Sequence, residues 1–253
     1  MRFFVIRVKY LLFAVGLAIA IPLICLTSGK TVVTFLTGGR EVPIYSVERG
    51  DNKIALTFDS AWNDDDIDDI IKTLVSKNCK ATFFVTGKWA EQYSSSLNKL
   101  YRNGFEIGTH SYNHDDYTKM SSDEIIRDIE KTEDAVMRVT GKRPVLMRAP
   151  SGAYNDTVVR TVEQSGRKYI QWSVDGIDYN DASAEDIYNR VVSKVNSGDI
   201  ILLHNGTAHT AEVLPQIIEK LSESFELVTV SELIYNDNYT IDYAGRQHLN
   251  EMY

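Results

Sequence analysis

The stretch Gly108-Thr109-His110-Ser111-Tyr112-Asn113-His114 places two histidines four residues apart, directly after a β-like run. Imidazoles in one loop at that spacing can point at one metal ion. Asp59 lies about fifty residues upstream in Thr57-Phe58-Asp59, at the end of another apolar run. It can bring a carboxylate to the same place. A divalent ion held by two imidazoles and oxygen, with open positions, activates water for hydrolysis. Two loop histidines alone also suit a surface with no chemistry. The chain has only 5 histidines, however, and a third, His204, ends the fully apolar run Ile200–Leu203. His209 and His248 lack such a setting.

Other polar groups fall at similar places. Asp59 could cap the helix that follows it, but Asn63 or Asp64 is better placed for that. Asp59 is then free to act as a general base beside activated water. Arg148, in Met147-Arg148-Ala149-Pro150-Ser151-Gly152, can hold Asp59 in orientation and keep it ionised. Pro150 and Gly152 predict a fixed turn whose N–H groups can face a developing oxyanion. Asp175 and Asp178 follow Trp172-Ser173-Val174, and either can orient His204. His204 then suits the role of general acid for a departing amine.

These residues need a scaffold that brings strand ends together. Ile54–Phe58 predicts a short apolar strand. Residues 64–77 predict a helix, with Ile67, Ile70, Ile71 and Leu74 on one buried face; Asp64, Asp65 and Asp66 suit its first turn. Residues 81–85 predict a strand, 89–102 a helix, and 105–108 the strand that delivers His110 and His114. Ser121-x-x-Glu124 is a capping box that opens a further helix, closed by Gly141. Strands at 145–147, 169–172, 199–203 and 227–228 alternate with helices at 156–165, 183–196 and 210–224, before a terminal turn at 231–235. Strand and helix thus alternate about seven times, which means parallel strands with helices outside. An open doubly wound sheet and a (β/α) barrel both fit. The barrel is favoured because Asp59, His110, Arg148, Asp175 and His204 each end a different strand, and a barrel gathers those ends on one rim.

The bulk properties exclude several classes. The net charge is −8, and no basic stripe is present, so nucleic acid is not an expected partner. The 2 cysteines, Cys25 and Cys79, are too few for a cysteine-held zinc site. Arg2, Arg7 and Lys9 precede an apolar run from Leu11 to Thr27. That pattern predicts export, with residues 1–29 as a signal peptide or a retained membrane anchor. The mature chain would be secreted or held on the outer face of the cytoplasmic membrane. Residues 30–50 are expected to be a linker or short N-terminal strands, 51–235 the catalytic domain, and 236–253 a polar C-terminal tail without periodicity.

In this order the motifs Thr57-Phe58-Asp59-Ser60, His110–His114, Arg148–Gly152, Asp175-Gly176-Ile177-Asp178-Tyr179 and Leu202-Leu203-His204-Asn205 resemble the polysaccharide deacetylases, the NodB-homology or carbohydrate esterase family 4 group. The Phe58-Asp59-x-x-Trp62 form is most similar to the sporulation-type branch. The resemblance implies a distorted (β/α) barrel and metal-dependent removal of acetyl groups from N-acetylated sugars, such as peptidoglycan or a chitin-like glycan. It implies Asp59 as base, His110 and His114 as ligands of zinc (or cobalt or manganese), and Arg148 as the tether of Asp59. It also implies the Ser151 N–H in the oxyanion site, Leu202 in the acetyl-methyl pocket and His204 as acid. The sequence departs from the family at Ser60, where a third, carboxylate ligand is usual; Asp64 is one candidate to compensate. Ser151 stands where tyrosine is usual. Tyr179 replaces the usual tryptophan of an aromatic wall. The departure at Ser60 leaves two further expectations open: a degenerate glycan-binding protein on the same fold, or an O-acetyl esterase of the xylan type.

Overall fold

The computed structural model describes residues 41–250. The expected signal or anchor, residues 1–29, and the first part of the linker lie outside the described residues. Among the described residues, no helix is long and apolar enough to cross a membrane.

The chain enters through β1 (Ser46–Val47) and β2 (Lys53–Ser60), then α1 (Ile67–Ser76), β3 (Thr82–Val85), α2 (Gly87–Gln92), α3 (Ser94–Arg102) and β4 (Glu106–Thr109). It continues with α4 (Ser122–Thr140), β5 (Leu146–Met147), α5 (Asp156–Gln164), β6 (Lys168–Tyr169), β7 (Val174–Asp175) and α6 (Ala184–Val192). Then come β8 (Ile200–His204), α7 (Thr210–Ser222), β9 (Glu226–Val228), α8 (Val230–Leu233), β10 (Tyr239–Ile241) and β11 (Arg246–Leu249). The main sheet runs in the order β6-β5-β4-β3-β2-β8-β7, with β9 added against the start of β2. Its pairings are parallel, and with the helices outside it forms a distorted (β/α) barrel. The end strands are β6 and β7. Ile44 pairs with Ile170 just past β6, and Ser46 pairs with Asp199 just before β8, so the entering chain stitches the two sides.

β2 shows how the sequence positions the site. Its apolar residues are buried on both faces, as a central parallel strand requires. Ile54, Leu56 and Phe58 pack outward with the helices, beside Ile67, Ile70 and Leu74 of α1. Ala55, Thr57 and Asp59 alternate to the inner face. Ala55 packs there with Ile200 and Val228, which leaves Thr57 and Asp59 toward the carboxyl end, where barrels carry their chemistry.

Several boundaries differ from the expectations. Residues 41–50, set apart from the catalytic domain as a linker or short strands, hold β1 and the buried Ile44 and Val47. The 169–172 strand gives way to β6 and β7, and the 183–196 helix ends at Val192. The 89–102 helix breaks at Tyr93 into α2 and α3; Thr86 caps α2 by accepting the Trp89 N–H. The 64–77 helix begins only at Ile67; its N-cap is Asp66 rather than the expected Asn63 or Asp64, and the Asp66 carboxylate accepts the Gly206 N–H instead of capping the helix. Residues 236–253 are not a free tail up to Asn250. β10 and β11 form an antiparallel hairpin that pairs with β1. The Gln247 side chain ties it down, accepting the Tyr235 N–H and donating to the Tyr235 carbonyl. That use of short polar strands leaves no apolar period to see in the sequence. The Ser121–Glu124 capping box forms as expected, and Gly141 ends α4 at φ +72°.

Candidate active site

Asp59 and His204 are register partners on the neighbouring strands β2 and β8. Side chains opposed in this way leave a parallel sheet on the same face. One carboxylate and one imidazole therefore meet at the inner rim. The barrel also brings Arg148, from the turn after β5, and His110, from the loop after β4, to the same point.

Arg148 is fully buried. Its Nη1 donates to Asp59 Oδ1 at 2.7 Å and to Thr57 Oγ1 at 2.9 Å, and its Nη2 donates to the Gln171 carbonyl at 3.0 Å. The guanidinium lies 4.1 Å from the Phe84 ring centre. Gly108 makes room for that ring, since a Cβ there would sit 2.6 Å from it. Burial of Asp59 opposes ionisation. The charge and hydrogen bond of Arg148, together with His204, outweigh it and hold the carboxyl below its ordinary range. Asp59 is thus an anionic base at neutral pH.

His110 Nδ1 meets the Arg148 carbonyl at 2.9 Å. A carbonyl only accepts, so Nδ1 carries the proton and Nε2 keeps its lone pair. Nε2 lies 3.5 Å from Asp59 Oδ2. Burial pushes the His110 imidazole down to about 4, against the pull of Asp59, so it is neutral at physiological pH. A metal ligand must be neutral in this way. His114 follows at φ +67°, with its ring centre 5.1 Å from that of His110. Two neutral imidazoles are donor types that a divalent ion uses. The third position does not match: Ser60 is fully buried and its hydroxyl has no partner. Among the described residues, no group of three His, Cys, Asp or Glu side chains could hold a metal. Asp64 does not compensate. Its carboxylate accepts Ser96 Oγ at 2.6 Å, which ties it to α3. Asp66 is also engaged elsewhere, accepting the Gly206 N–H at 2.8 Å.

The choice between Asp175 and Asp178 is decided by geometry. Asp178 Oδ1 accepts from His204 Nδ1 at 2.8 Å, and its Oδ2 accepts the His204 N–H at 2.7 Å. Asp175 instead closes a turn by accepting the Ile177 N–H at 2.8 Å. Burial alone would lower His204, but the hydrogen bond and charge of Asp178 raise it above its ordinary value. With Nδ1 donating to Asp178, Nε2 is left for proton transfer.

Leu202 is buried on the inner face of β8, opposite Thr57 and Asp175. Ser151 adopts φ +56° in a tight turn closed by the N–H groups of Gly152 and Ala153. Tyr179 is half exposed and packs T-shaped against His204, with centres 5.1 Å apart. Several participants were not singled out from sequence: Thr57 and Gln171, which hold Arg148; Thr210, which donates to Asp178 at 2.5 Å; and Trp62, which stacks on His204 at 5.3 Å. Thr57 and Trp62 stand inside the first motif, and that proximity was the available signal. Gln171 acts through its carbonyl, which any residue type would supply.

A buried arginine–carboxylate pair, a carboxylate–imidazole pair and two facing imidazoles at the carboxyl ends of barrel strands define a hydrolase-type site. Residues 46–170 match the polysaccharide deacetylase family model. A peptidoglycan-N-acetylglucosamine deacetylase of Bacillus cereus is 32% identical over 196 residues, covering 75% of this chain and 92% of the relative. The chain belongs to the polysaccharide deacetylase family. The uncharacterized protein YlxY of Bacillus subtilis is 31% identical, covering 76% of this chain and 60% of YlxY. The peptidoglycan-N-acetylglucosamine deacetylase PgdA of Listeria monocytogenes is 34% identical, covering 86% of this chain. The chain spans only 45% of PgdA. Among solved structures, a carbohydrate esterase family 4 pseudoenzyme from Bacillus anthracis superposes with a TM-score of 0.73 at 28% identity, covering 83% of this chain and 73% of that one. A mutant of that pseudoenzyme with restored enzymatic activity superposes at 0.74 and 31% identity, covering 77% and 72%.

Proposed function

We propose that this chain removes acetyl groups from N-acetylated sugars of cell-wall glycan, with peptidoglycan as the leading substrate. One observation carries the reading: an anionic base, Asp59, and a carboxylate-bound acid, His204, stand side by side at the ends of paired strands. The relatives named as peptidoglycan deacetylases support the substrate class. The basic flank and apolar run before residue 30 support export and a wall-facing location, and the Phe58–Trp62 form supports the sporulation-type branch.

In this mechanism Asp59 takes a proton from the attacking water, with Arg148 keeping it ionised and aimed. The Ser151 N–H donates to the oxyanion that forms on the amide carbon. Leu202 takes the acetyl methyl. His204 Nε2 gives its proton to the leaving sugar nitrogen, and acetate departs. A divalent ion, zinc or else cobalt or manganese, held by His110 and His114 would supply Lewis-acid activation of the water and the carbonyl.

A second reading is a glycan-binding protein on a degenerate site. The unpartnered Ser60 hydroxyl, at the third ligand position, favours it. Acetate release separates the readings. The full chain is incubated with zinc and, in turn, with peptidoglycan, N-acetylglucosamine oligomers and acetylated xylan. Release from the first two supports the proposal. Release from xylan alone points to an O-acetyl esterase. Saturable glycan binding without any release leaves the binding reading.

A further inference from the structure

The segment 61–66, between β2 and α1, contains an acidic run, and two of its residues, Asn63 and Asp66, are anchored to the loop after β8. The Asn63 carbonyl accepts Asn205 Nδ2 at 2.6 Å and Trp89 Nε1 at 3.0 Å. Asp66 Oδ1 accepts the Gly206 N–H. Asn205 and Gly206 directly follow His204. Gly206 has φ +73°, and a Cβ there would sit 2.5 Å from Asn63 Oδ1. The two loops therefore touch backbone to side chain. Trp62, between these anchors, lays its indole on the His204 ring at 5.3 Å and 27° between planes. Half of Trp62 remains exposed.

We propose that residues 61–66 form a brace for His204, and that Trp62 is its positioning residue. Asp178 fixes one edge of the imidazole, and the Tyr179 ring packs against it at a steep angle. Trp62 covers the ring by stacking, so the imidazole cannot turn about its side-chain bonds without losing that contact. An aromatic face also favours a cation over it. The stack thus holds the imidazole in place and favours its protonated form. The charged groups that face His204 are Asp178 and Asp175 beyond β7, Asp59 on β2 and His114 after β4. None of them lies on the brace, so removing the indole changes no charge around the ring.

The kinetic half of the test rests on the proposed deacetylation; the spectroscopic half does not. Trp62→Leu and Trp62→Phe are made in the full chain, and the His204 ring signals are followed by NMR from pH 5 to 9. At an aromatic–cation contact of this exposure, Trp62→Leu should lower the His204 titration midpoint by about 0.5 pH units, and Trp62→Phe should restore most of it. In acetate release, Trp62→Leu should lower kcat and shift the alkaline limb of its pH profile down. An unchanged midpoint in Trp62→Leu overturns the brace. A raised KM with unchanged kcat and pH profile also overturns it, since Trp62 would then only touch sugar. If no variant or wild-type protein releases acetate, the proposed activity fails and the midpoint alone decides the brace.

Discussion

Asp178→Asn tests how His204 is made an acid. Asp178 accepts His204 Nδ1 at 2.8 Å, the His204 N–H at 2.7 Å and Thr210 Oγ1 at 2.5 Å. Asparagine keeps the shape but removes the charge. A hydrogen bond to a charged group contributes roughly 1.5–3 kcal/mol, and about 1.4 kcal/mol corresponds to one pH unit of titration. The His204 midpoint should therefore fall by roughly one to two pH units. Burial lowers His204 and Asp178 more than reverses it, so the folded value stands above the ordinary 6.5. A proton donor is competent below its midpoint and fails as pH rises through it. The alkaline limb of kcat for acetate release should thus move to lower pH in Asp178→Asn, together with the NMR titration of the His204 ring. An Asp178→Asn protein with the wild-type alkaline limb and titration would refute the orientation and charge argument. Asp175→Asn removes a nearby charge but no hydrogen bond to His204, since Asp175 is bonded to the Ile177 N–H, so it should lower the midpoint by less than Asp178→Asn.

Arg148→Met strands a buried carboxylate at Asp59, which costs about 3–5 kcal/mol in urea unfolding, and the double variant with Asp59→Asn should recover most of that loss. Ser60→Asp puts a carboxylate where the lone hydroxyl now stands and should tighten zinc binding by at least about tenfold in calorimetry; unchanged affinity would mean that position 60 does not reach the imidazoles. Gly206→Ala places a side chain at φ +73° against Asn63 Oδ1, and should cost at least about 1–2 kcal/mol in unfolding free energy. The His204–Asp178 pair also ties stability to pH: its contribution is fully present below pH 6.5 and is lost as pH rises through the raised folded value, which thermal melts from pH 6 to 9 can follow.

The barrel was legible because β2, β3 and β8 are buried on both faces and so write continuous apolar runs, while the helices carry a regular apolar stripe. The site was legible where chemistry needs a side-chain type: Asp59, His110, Arg148 and His204 lie at or just past strand ends, and His114 follows in the loop after β4. What stayed hidden depends on backbone atoms or on pairings across the chain. The Gln171 and Asn63 carbonyls leave no trace in sequence. Asp175 and Asp178 are chemically identical, and only the turn at Ile177 separates their roles. Asp64 looked free to approach the imidazoles because its partner, Ser96, lies on a different helix. The hairpin of β10 and β11 is short, polar and half exposed, so it lacks the alternation by which strands are recognised.

The central claim is that Asp59 and His204 work as base and acid on an N-acetyl sugar. The most direct measurement compares acetate release from peptidoglycan by the full chain and by Asp59→Asn, with zinc present. Asparagine fits the same space and can still accept from Arg148, and a thermal melt of the variant separates loss of chemistry from the stability lost by leaving the buried Arg148 without its counter-charge. The account predicts measurable release by the wild type and a loss of at least about a hundredfold in Asp59→Asn. Equal release by both proteins would contradict it.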